Sequence, residues 1–444
     1  MALTGLDIYK LLPKTNCKDC GFATCLAFAM ALAQKKVSLD KCPHVTAQAK
    51  EALESASQPP IKLVTIGTGD NKLEMGNETV MYRHEQKFYH PAGIGILIED
   101  TLAEAELADR VAKINALNFE RVGQKIAPDL LCIKNSSHDK NLFSRAVRQV
   151  ASSSTMNLAL YSNDAAAIAE AIKACPGRRP LIIGAEAGRL DAFVKLAKEN
   201  SAPLAISCAN LEEVAQLTDR IKKSGVEEIV INLGREGLAR HIQDFTFARR
   251  TALKKSFRPL GYPIMAFTGT DGADLELAEA ITYVLKYSSL VIVKSIEKDF
   301  MLPLLVARQD VYADPQKPVQ VEPKIYEIGK VTKDSPVAVT TNFSITYFTV
   351  AGEIEASKVP TYIVCCDSEG MSVLTAWAAE KFTAEKIADT LKKSGIETMV
   401  AHKRVIIPGY VSVLSGKLEE VSGWKVNVGP REASGIPVFL RNWK

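Results

Sequence analysis

At 444 residues the chain is too long for one ordinary hydrophobic core, and two to four domains are expected. Hydrophobic residues make up 47 % and charged residues 24 %, the balance of a soluble globular protein, and a net charge of only +4 gives no reason to expect nucleic acid or an anionic membrane as partner. No basic cluster followed by a long apolar core opens the chain, and the longest apolar run, Cys25 to Ala33, is far too short to span a bilayer.

The expected compartment is therefore the cytoplasm, where nine cysteines do not make a disulfide framework. Four of them, Cys17, Cys20, Cys25 and Cys42, are spaced C-x2-C-x4-C-x16-C. Such a set holds Zn2+ or an iron–sulfur cluster. Zinc sites usually show two C-x2-C pairs, and only one is present here. Three ligands from one loop, a distant fourth and Pro43 directly after it favour the cluster. Gly21 suits a tight turn with positive φ. Cys25 opens the helical segment "CLAFAMALAQKK", whose free N–H groups are expected to face the sulfurs. His44 is read as a solvated side chain, because four thiols already complete the set. The other five cysteines are expected to be small buried hydrophobes.

Residues 1–58 are thus expected to form the cluster domain, ending in the linker-like "ESASQPP". Residues 59–92 alternate apolar and polar around two turn signals and predict a β-hairpin that caps the next domain. From Gly93 short apolar runs recur at Gly93, Asp129, Asn157, Leu181, Leu204, Glu228, Pro263 and Leu290, about 23 to 36 residues apart, with amphipathic stretches between them. Eight such units over 93–312 match a (β/α)8 barrel better than an open sheet, which usually carries a Gly-rich phosphate loop. The strand ends carry Glu99, Asp100, Asn135, Ser162, Asn163, Glu186, Asn232, Thr268 and Lys294. These form no evident metal set or acid–base pair, and ordinary loop polarity accounts for them.

Residues 313–324 are a Pro-rich linker. From 325 to 444 the pattern is again strand–helix, an α/β sandwich of Rossmann-like type. "PVAVTT" predicts a strand, and Thr341 or Asn342 is placed to cap the amphipathic helix after it. "TYIVCCD" is a fully apolar strand, and "SEGMSVLTAWAAEKF" a loop running into a helix. Three loops, Thr340–Asn342, Asp367–Ser372 and Gly429–Pro437, offer small residues, hydroxyls and free N–H groups on one rim. They suit either an amide-rich ligand or plain capping and turn chemistry.

The cysteine motif in "NCKDCGFATCLAFA", the barrel and the "SEGMSVLTAWAAEKF" segment, in that order, resemble the large (gamma) subunit of the corrinoid/iron–sulfur protein. That family is the methyl carrier of the anaerobic acetyl-CoA (Wood–Ljungdahl) pathway. The resemblance implies a 4Fe-4S cluster on Cys17, Cys20, Cys25 and Cys42 in a small mobile N-terminal domain. It implies a corrinoid on the C-terminal domain, with contacts carried over to Thr340, Thr346, Gly370, Met371, Ser372, Val373, Leu374 and Ala433. The chain has no D-x-H-x-x-G motif of the kind that places a histidine under cobalt, and His138 and His402 lie in other contexts, so the resemblance implies a base-off cobamide.

The implied function is that of a methyl carrier. Corrinoid Co(I) accepts methyl from methyltetrahydrofolate through a separate methyltransferase and passes it to carbon monoxide dehydrogenase/acetyl-CoA synthase. The cluster returns accidental Co(II) to service. The implied permanent partner is a smaller barrel subunit in a heterodimer, with domains that swing. The alternative is a barrel that itself catalyses pterin-dependent methyl transfer, with an accessory cluster; a zinc-stabilised scaffold is the third reading.

Overall fold

The computed structural model describes residues 5–33, 37, 39–46, 59–234 and 237–443. The end of the expected 25–36 helix, residues 34–36, and most of the expected 54–60 linker lie outside the described residues. The chain divides into two compact units. One comprises Met1–Met81, Tyr89–Ile114 and Asp129–Ile296; the other comprises Tyr82–Phe88, Asn115–Pro128 and Glu297–Lys444.

In the first unit, the helices Gly5–Leu11 and Cys25–Ala33 pack through Ile8, Leu12, Phe28 and Ala29. A hairpin of β1 (Val64–Ile66) and β2 (Leu73–Met75) comes next. The further strands are β3 (Gly93–Glu99), the second-unit hairpin β4 (Phe119–Arg121) and β5 (Gln124–Ile126), β6 (Leu130–Lys134), β7 (Asn157–Tyr161), β8 (Leu181–Ala185), β9 (Leu204–Cys208), β10 (Ile229–Leu233), β11 (Ile264–Phe267) and β12 (Ser288–Val293). All eight expected barrel strands form, and β3 and β6–β12 close into one parallel barrel, with β12 pairing back onto β3. Strands of a parallel barrel are covered on both faces, so they read as unbroken apolar runs such as "LLCIK" and "LIIGA". Asp139, Asp164 and Asn210 end the preceding loops and accept hydrogen bonds from the first free N–H groups of the helices 140–153, 165–174 and 211–223.

The barrel interior is filled by Leu130, Cys132, Ala159, Leu181, Ile183, Ala205, Val230, Met265, Leu290 and Ile292. Val64, Ile66 and Met75 of the hairpin join that same core. The hairpin therefore stops the end where the strands begin. Asn157, the first residue of β7, ties it down by donating to Asn71 O at 2.8 Å. At the other end the rings of Tyr161 and Phe267, 5.3 Å apart, pack against the interior.

In the second unit, the helix Lys298–Tyr312 sits with the β4–β5 hairpin. Arg121 donates to Gln309 at 2.8 Å and Asp310 at 2.7 Å, and Arg308 donates to Ala127 O at 3.0 Å. Beyond this helix the chain forms a five-stranded sheet of β13 (Ile325–Ile328), β14 (Val337–Thr341), β15 (Thr361–Cys366), β16 (Arg404–Ile407) and β17 (Lys425–Val428). Its order is β13-β15-β14-β16-β17, parallel except for the edge strand β13. Each face has its own core. Tyr347, Ala351 and Ile354 of the helix Ser344–Ser357 cover one face with Leu440; Ile387, Leu391, Leu418 and Trp424 cover the other. The strand order turns back between β14 and β16. In open parallel sheets, ligands bind outside the strand C-termini at such a reversal.

Candidate functional sites

The four N-terminal cysteines are all free thiols. Cys25 is buried, Cys20 and Cys42 are half-buried, and Cys17 is exposed. Cys20, Cys25 and Cys42 share one apolar cluster with Ile8, Leu12 and Phe28. The loop that leads to them is unusual in its backbone. Lys14, Asn16, Lys18 and Gly21 all have positive φ, between 51° and 81°. Alternation of hand along a loop turns successive N–H groups to one side and makes a concavity for anions, including iron–sulfur clusters.

The helix N–H groups do not all face the sulfurs as expected. Cys25 N–H donates to Asn16 Oδ1 at 2.8 Å, and Ala27 N–H donates to Thr24 Oγ1 at 3.1 Å. The N–H that meets a sulfur comes from the loop: Asn16 N–H donates to Cys25 Sγ at 3.4 Å. His44 Nε2 is 2.6 Å from Asp19 Oδ2. Hydrogen bonds from His44 first, and Cys17 second, hold the Asp19 carboxyl below the usual range. His44 is exposed, as expected, and pairs with that carboxylate. The potential donor atoms of Cys17, Asp19 and His44 lie within 4.8 Å of one another, all on exposed side chains.

The second site is a cleft of about 350 Å³ in the C-terminal sheet domain. It lies where the sheet reverses. Thr340 is the last residue but one of β14, Ile407 ends β16 with Pro408 directly after it, and Gly429, Pro430 and Arg431 come directly after β17. Its deep wall is Ala338, Ile354, Ile406 and Leu440, and its rim carries Thr346, Thr349, Ser372, Val373, Leu374 and Ala433. Six of the eight expected contact residues therefore line one cavity.

The other two, Gly370 and Met371, do not line it. Met371 packs on the core of the opposite sheet face. Gly370 has φ +74, and a Cβ there would lie 3.0 Å from Pro318 O, so it serves the turn. Asn342 does not cap the helix either; Phe343 is the capping residue and makes no side-chain bond. Asn342 instead joins two loops. Its Oδ1 accepts from Ser368 N and Oγ, both at 2.9 Å, and from Gly370 N at 3.1 Å. Its Nδ2 donates to Gln320 at 2.9 Å. The Thr340 and Thr341 hydroxyls are buried and have no hydrogen-bond partner among the described residues. A buried hydroxyl without a partner costs about 1–3 kcal/mol; of these two, only Thr340 lines the cleft.

The barrel rim is different. Asp100 accepts from Ser136 N, Ser137 N and Ser137 Oγ, and Asn135 donates to Ser162 Oγ at 2.9 Å. Thr268 donates to Glu276 at 2.7 Å. Sequence reasoning missed Glu279, His241 and Tyr283, which bind one another and the loops after β10 and β11, and Glu276, which binds Thr268 after β11 and Lys294 N and Ser295 after β12. Tyr283 OH donates to Glu279 at 2.7 Å and lies 2.8 Å from His241 Nδ1. Glu276 and Glu279 were legible as two carboxylates on the apolar side of "ADLELAEAITYVL". Arg431 also lines the cleft, on the expected Gly429–Pro437 loop but not singled out within it, and Tyr410, after β16, lies outside the three expected loops.

Comparisons with known proteins cover both parts of the chain. A family model for the CO dehydrogenase/acetyl-CoA synthase delta subunit matches residues 63–440, and one for an Fe-S cluster matches residues 12–44. The chain is 48 % identical over 441 residues to the corrinoid/iron-sulfur protein large subunit of Moorella thermoacetica, covering 99 % of each chain. It is 35 % identical over 453 residues to the acetyl-CoA decarbonylase/synthase complex subunit gamma of Methanothermobacter thermautotrophicus, again covering 99 % of each. Among solved structures, dihydropteroate synthase of Thermus thermophilus aligns at TM-score 0.39 with 16 % identity, over 55 % of this chain and 98 % of its own.

Proposed function

Because the chain belongs to the corrinoid/iron–sulfur protein large-subunit family, together with the archaeal acetyl-CoA decarbonylase/synthase gamma subunits, we propose that it carries methyl groups on a corrinoid held in the C-terminal cleft. The observation that carries this reading is the unpartnered Thr340 hydroxyl at the sheet reversal, in a cavity with an apolar wall and a rim of hydroxyls. A corrinoid has a ring edged with amides and a tail that ends in an aromatic base. The hydroxyls of Thr340, Thr346, Thr349 and Ser372 suit the amides. The wall of Ala338, Ile354, Ile406 and Leu440 suits the base.

The proposed form is base-off, with the base in the apolar wall rather than on the cobalt. His402 Nε2 is 3.0 Å from Ser335 O, before β14 begins and so at the other end of the sheet. Asn342 holds the 367–372 loop at the rim without touching the ligand space.

Cys17, Cys20, Cys25 and Cys42 are the proposed ligands of a 4Fe-4S cluster. Four thiols, three of them set in one apolar cluster, and a loop of alternating hand suit a polyanionic group. When bound, the corrinoid cobalt supplies the methyl-accepting and methyl-donating centre, and the cluster supplies single low-potential electrons. The proposed partners are a smaller subunit, a methyltetrahydrofolate:corrinoid methyltransferase and carbon monoxide dehydrogenase/acetyl-CoA synthase, in the cytoplasm. Among the described residues no helix is long and apolar enough to cross a membrane. The barrel's rim carboxylates are engaged with neighbouring loops, which suits a scaffold better than a second active centre.

The test is anaerobic metal analysis with an absorption spectrum, on the wild type and Thr340→Val, each co-expressed with the small subunit. The expected result is about four iron per chain and one cobalt per complex. Thr340→Val is expected to bind corrinoid roughly ten-fold more weakly, yet to unfold at an equal or higher temperature without ligand, because it removes an unpaired buried hydroxyl. Zinc in place of iron, or no corrinoid in the complex, would overturn the reading.

A further inference from the structure

We infer that Asn16 is the positioning residue of the iron–sulfur centre, clamping the ligand loop onto the helix that starts at Cys25. The inference rests on the cluster reading of the four cysteines.

The starting point is a problem of geometry. A loop that supplies Cys17 and Cys20 must be held against a helix that supplies Cys25, and the two are joined only by the short span 21–24. A helix start has four N–H groups without intrahelical partners. Thr24 satisfies one by accepting from Ala27 N–H at 3.1 Å. The first, on Cys25 itself, has no such local partner. Asn16 supplies it from nine residues away, with Oδ1 2.8 Å from Cys25 N.

The same residue returns the contact through its backbone. Asn16 N–H points at Cys25 Sγ, 3.4 Å away. Both groups of Asn16 therefore close on both groups of Cys25, and the loop has one register against the helix. The clamp needs φ of +51° at Asn16, a conformation that asparagine visits more readily than other residues with a Cβ. Glycine reaches that conformation too but lacks the side-chain acceptor. Alanine lacks the acceptor and is strained there. Aspartate keeps an oxygen in place and tolerates the backbone.

The consequence for the metal centre has two parts. An N–H group directed at a ligand sulfur stabilises the more negative, reduced form, so it raises the reduction potential. The side-chain bond keeps that N–H in place and keeps Cys17 and Cys20 within reach of Cys25. Losing the side chain is expected to loosen both, so the potential falls and iron escapes faster.

The experiment uses the full chain with its cluster reconstituted anaerobically. It follows iron loss to a chelator by absorbance and the midpoint potential by a redox titration monitored by electron paramagnetic resonance. Asn16→Gly should lose iron about five-fold or more faster than the wild type, the size expected for one lost hydrogen bond, and its midpoint should move to a more negative potential. Asn16→Asp should lose iron within about two-fold of the wild-type rate, because the acceptor is restored. Wild-type iron loss and potential in Asn16→Gly would overturn the inference, as would Asn16→Asp losing iron as fast as Asn16→Gly. A wild-type chain that takes up no iron would instead overturn the cluster reading on which the clamp rests.

Discussion

Arg431 is the one cation among the described residues that line the cleft. It lies on an exposed loop in no ion pair among the described residues, and its neighbour Glu432 is occupied as the acceptor of the Tyr410 hydroxyl. That bond, first among the causes, raises the Tyr410 pKa. The loop is fixed from beneath. Gly409 N–H donates to Pro430 O at 3.1 Å, and a Cβ at Gly409 would lie 2.5 Å from Gly429 O. A cation placed at the mouth of an apolar cavity selects for an anion on the ligand. A complete cobamide has one such anion, the phosphodiester that links its base to the ring. Arg431→Gln should therefore weaken binding of a complete cobamide by roughly ten-fold and leave a truncated corrinoid without the nucleotide tail unaffected. Parallel titrations with the two ligands measure the difference. Equal weakening of both would place Arg431 against the ring, and no weakening of either would remove it from the site.

At the scale of elements, what was legible depended on whether a residue answers to its neighbours in sequence or to those in space. The eight barrel strands were legible because strands covered on both faces must be apolar throughout. The cleft loops were legible because ligand sites of parallel sheets come after strand C-termini. Asn342 was misread because a capping residue and a loop tie look alike in sequence, and its partners Ser368 and Gly370 are 26 and 28 residues away. The helix 344–357 was expected to be amphipathic, but it is apolar on two sides: Tyr347 and Ile354 face the core while Ile345 and Phe348 are exposed.

Glu279 joins two such elements, the helix 273–285 and the loop after β11. Burial pushes its carboxyl up, but the Thr270 N–H, the Tyr283 and Thr270 hydroxyls and the Gly269 N–H outweigh that, and its pKa is held below the ordinary 4.5. A carboxyl depressed on folding contributes stability above its unfolded pKa and loses it as pH falls through the folded value. Glu279→Gln should cost about 2 kcal/mol at neutral pH. The gap between mutant and wild-type unfolding midpoints should narrow as pH falls below 4.5. Unfolding curves from pH 7 to 3 check this; a gap that stays constant with pH would show that the charge is not what the network holds.

At the scale of the molecule, the exposed apolar residues of the sheet domain gather after the C-terminal ends of its parallel strands. Ile345 and Phe348 come after β14, Trp377 after β15, and Tyr410 and Val413 after β16. Phe348 is 50 % and Val413 69 % exposed. Single exposed apolar residues are ordinary, but a set on the edge that also bears the cleft calls for a cover. The proposed small subunit is that cover, and it would keep water from the ligand as well. Phe348 and Val413 do not line the cavity, so they separate cover from ligand. Burying such a side chain contributes roughly 1.5–3 kcal/mol, so Phe348→Asp and Val413→Asp should each weaken subunit association about ten- to hundred-fold. The unfolding temperature of the isolated chain should hardly move, because neither side chain is in its core. Sedimentation velocity across a range of small-subunit concentrations reads the association directly. Association at wild-type strength in both variants would mean that the subunit binds elsewhere, and the cleft edge would then be left for the proteins that deliver and collect the methyl group.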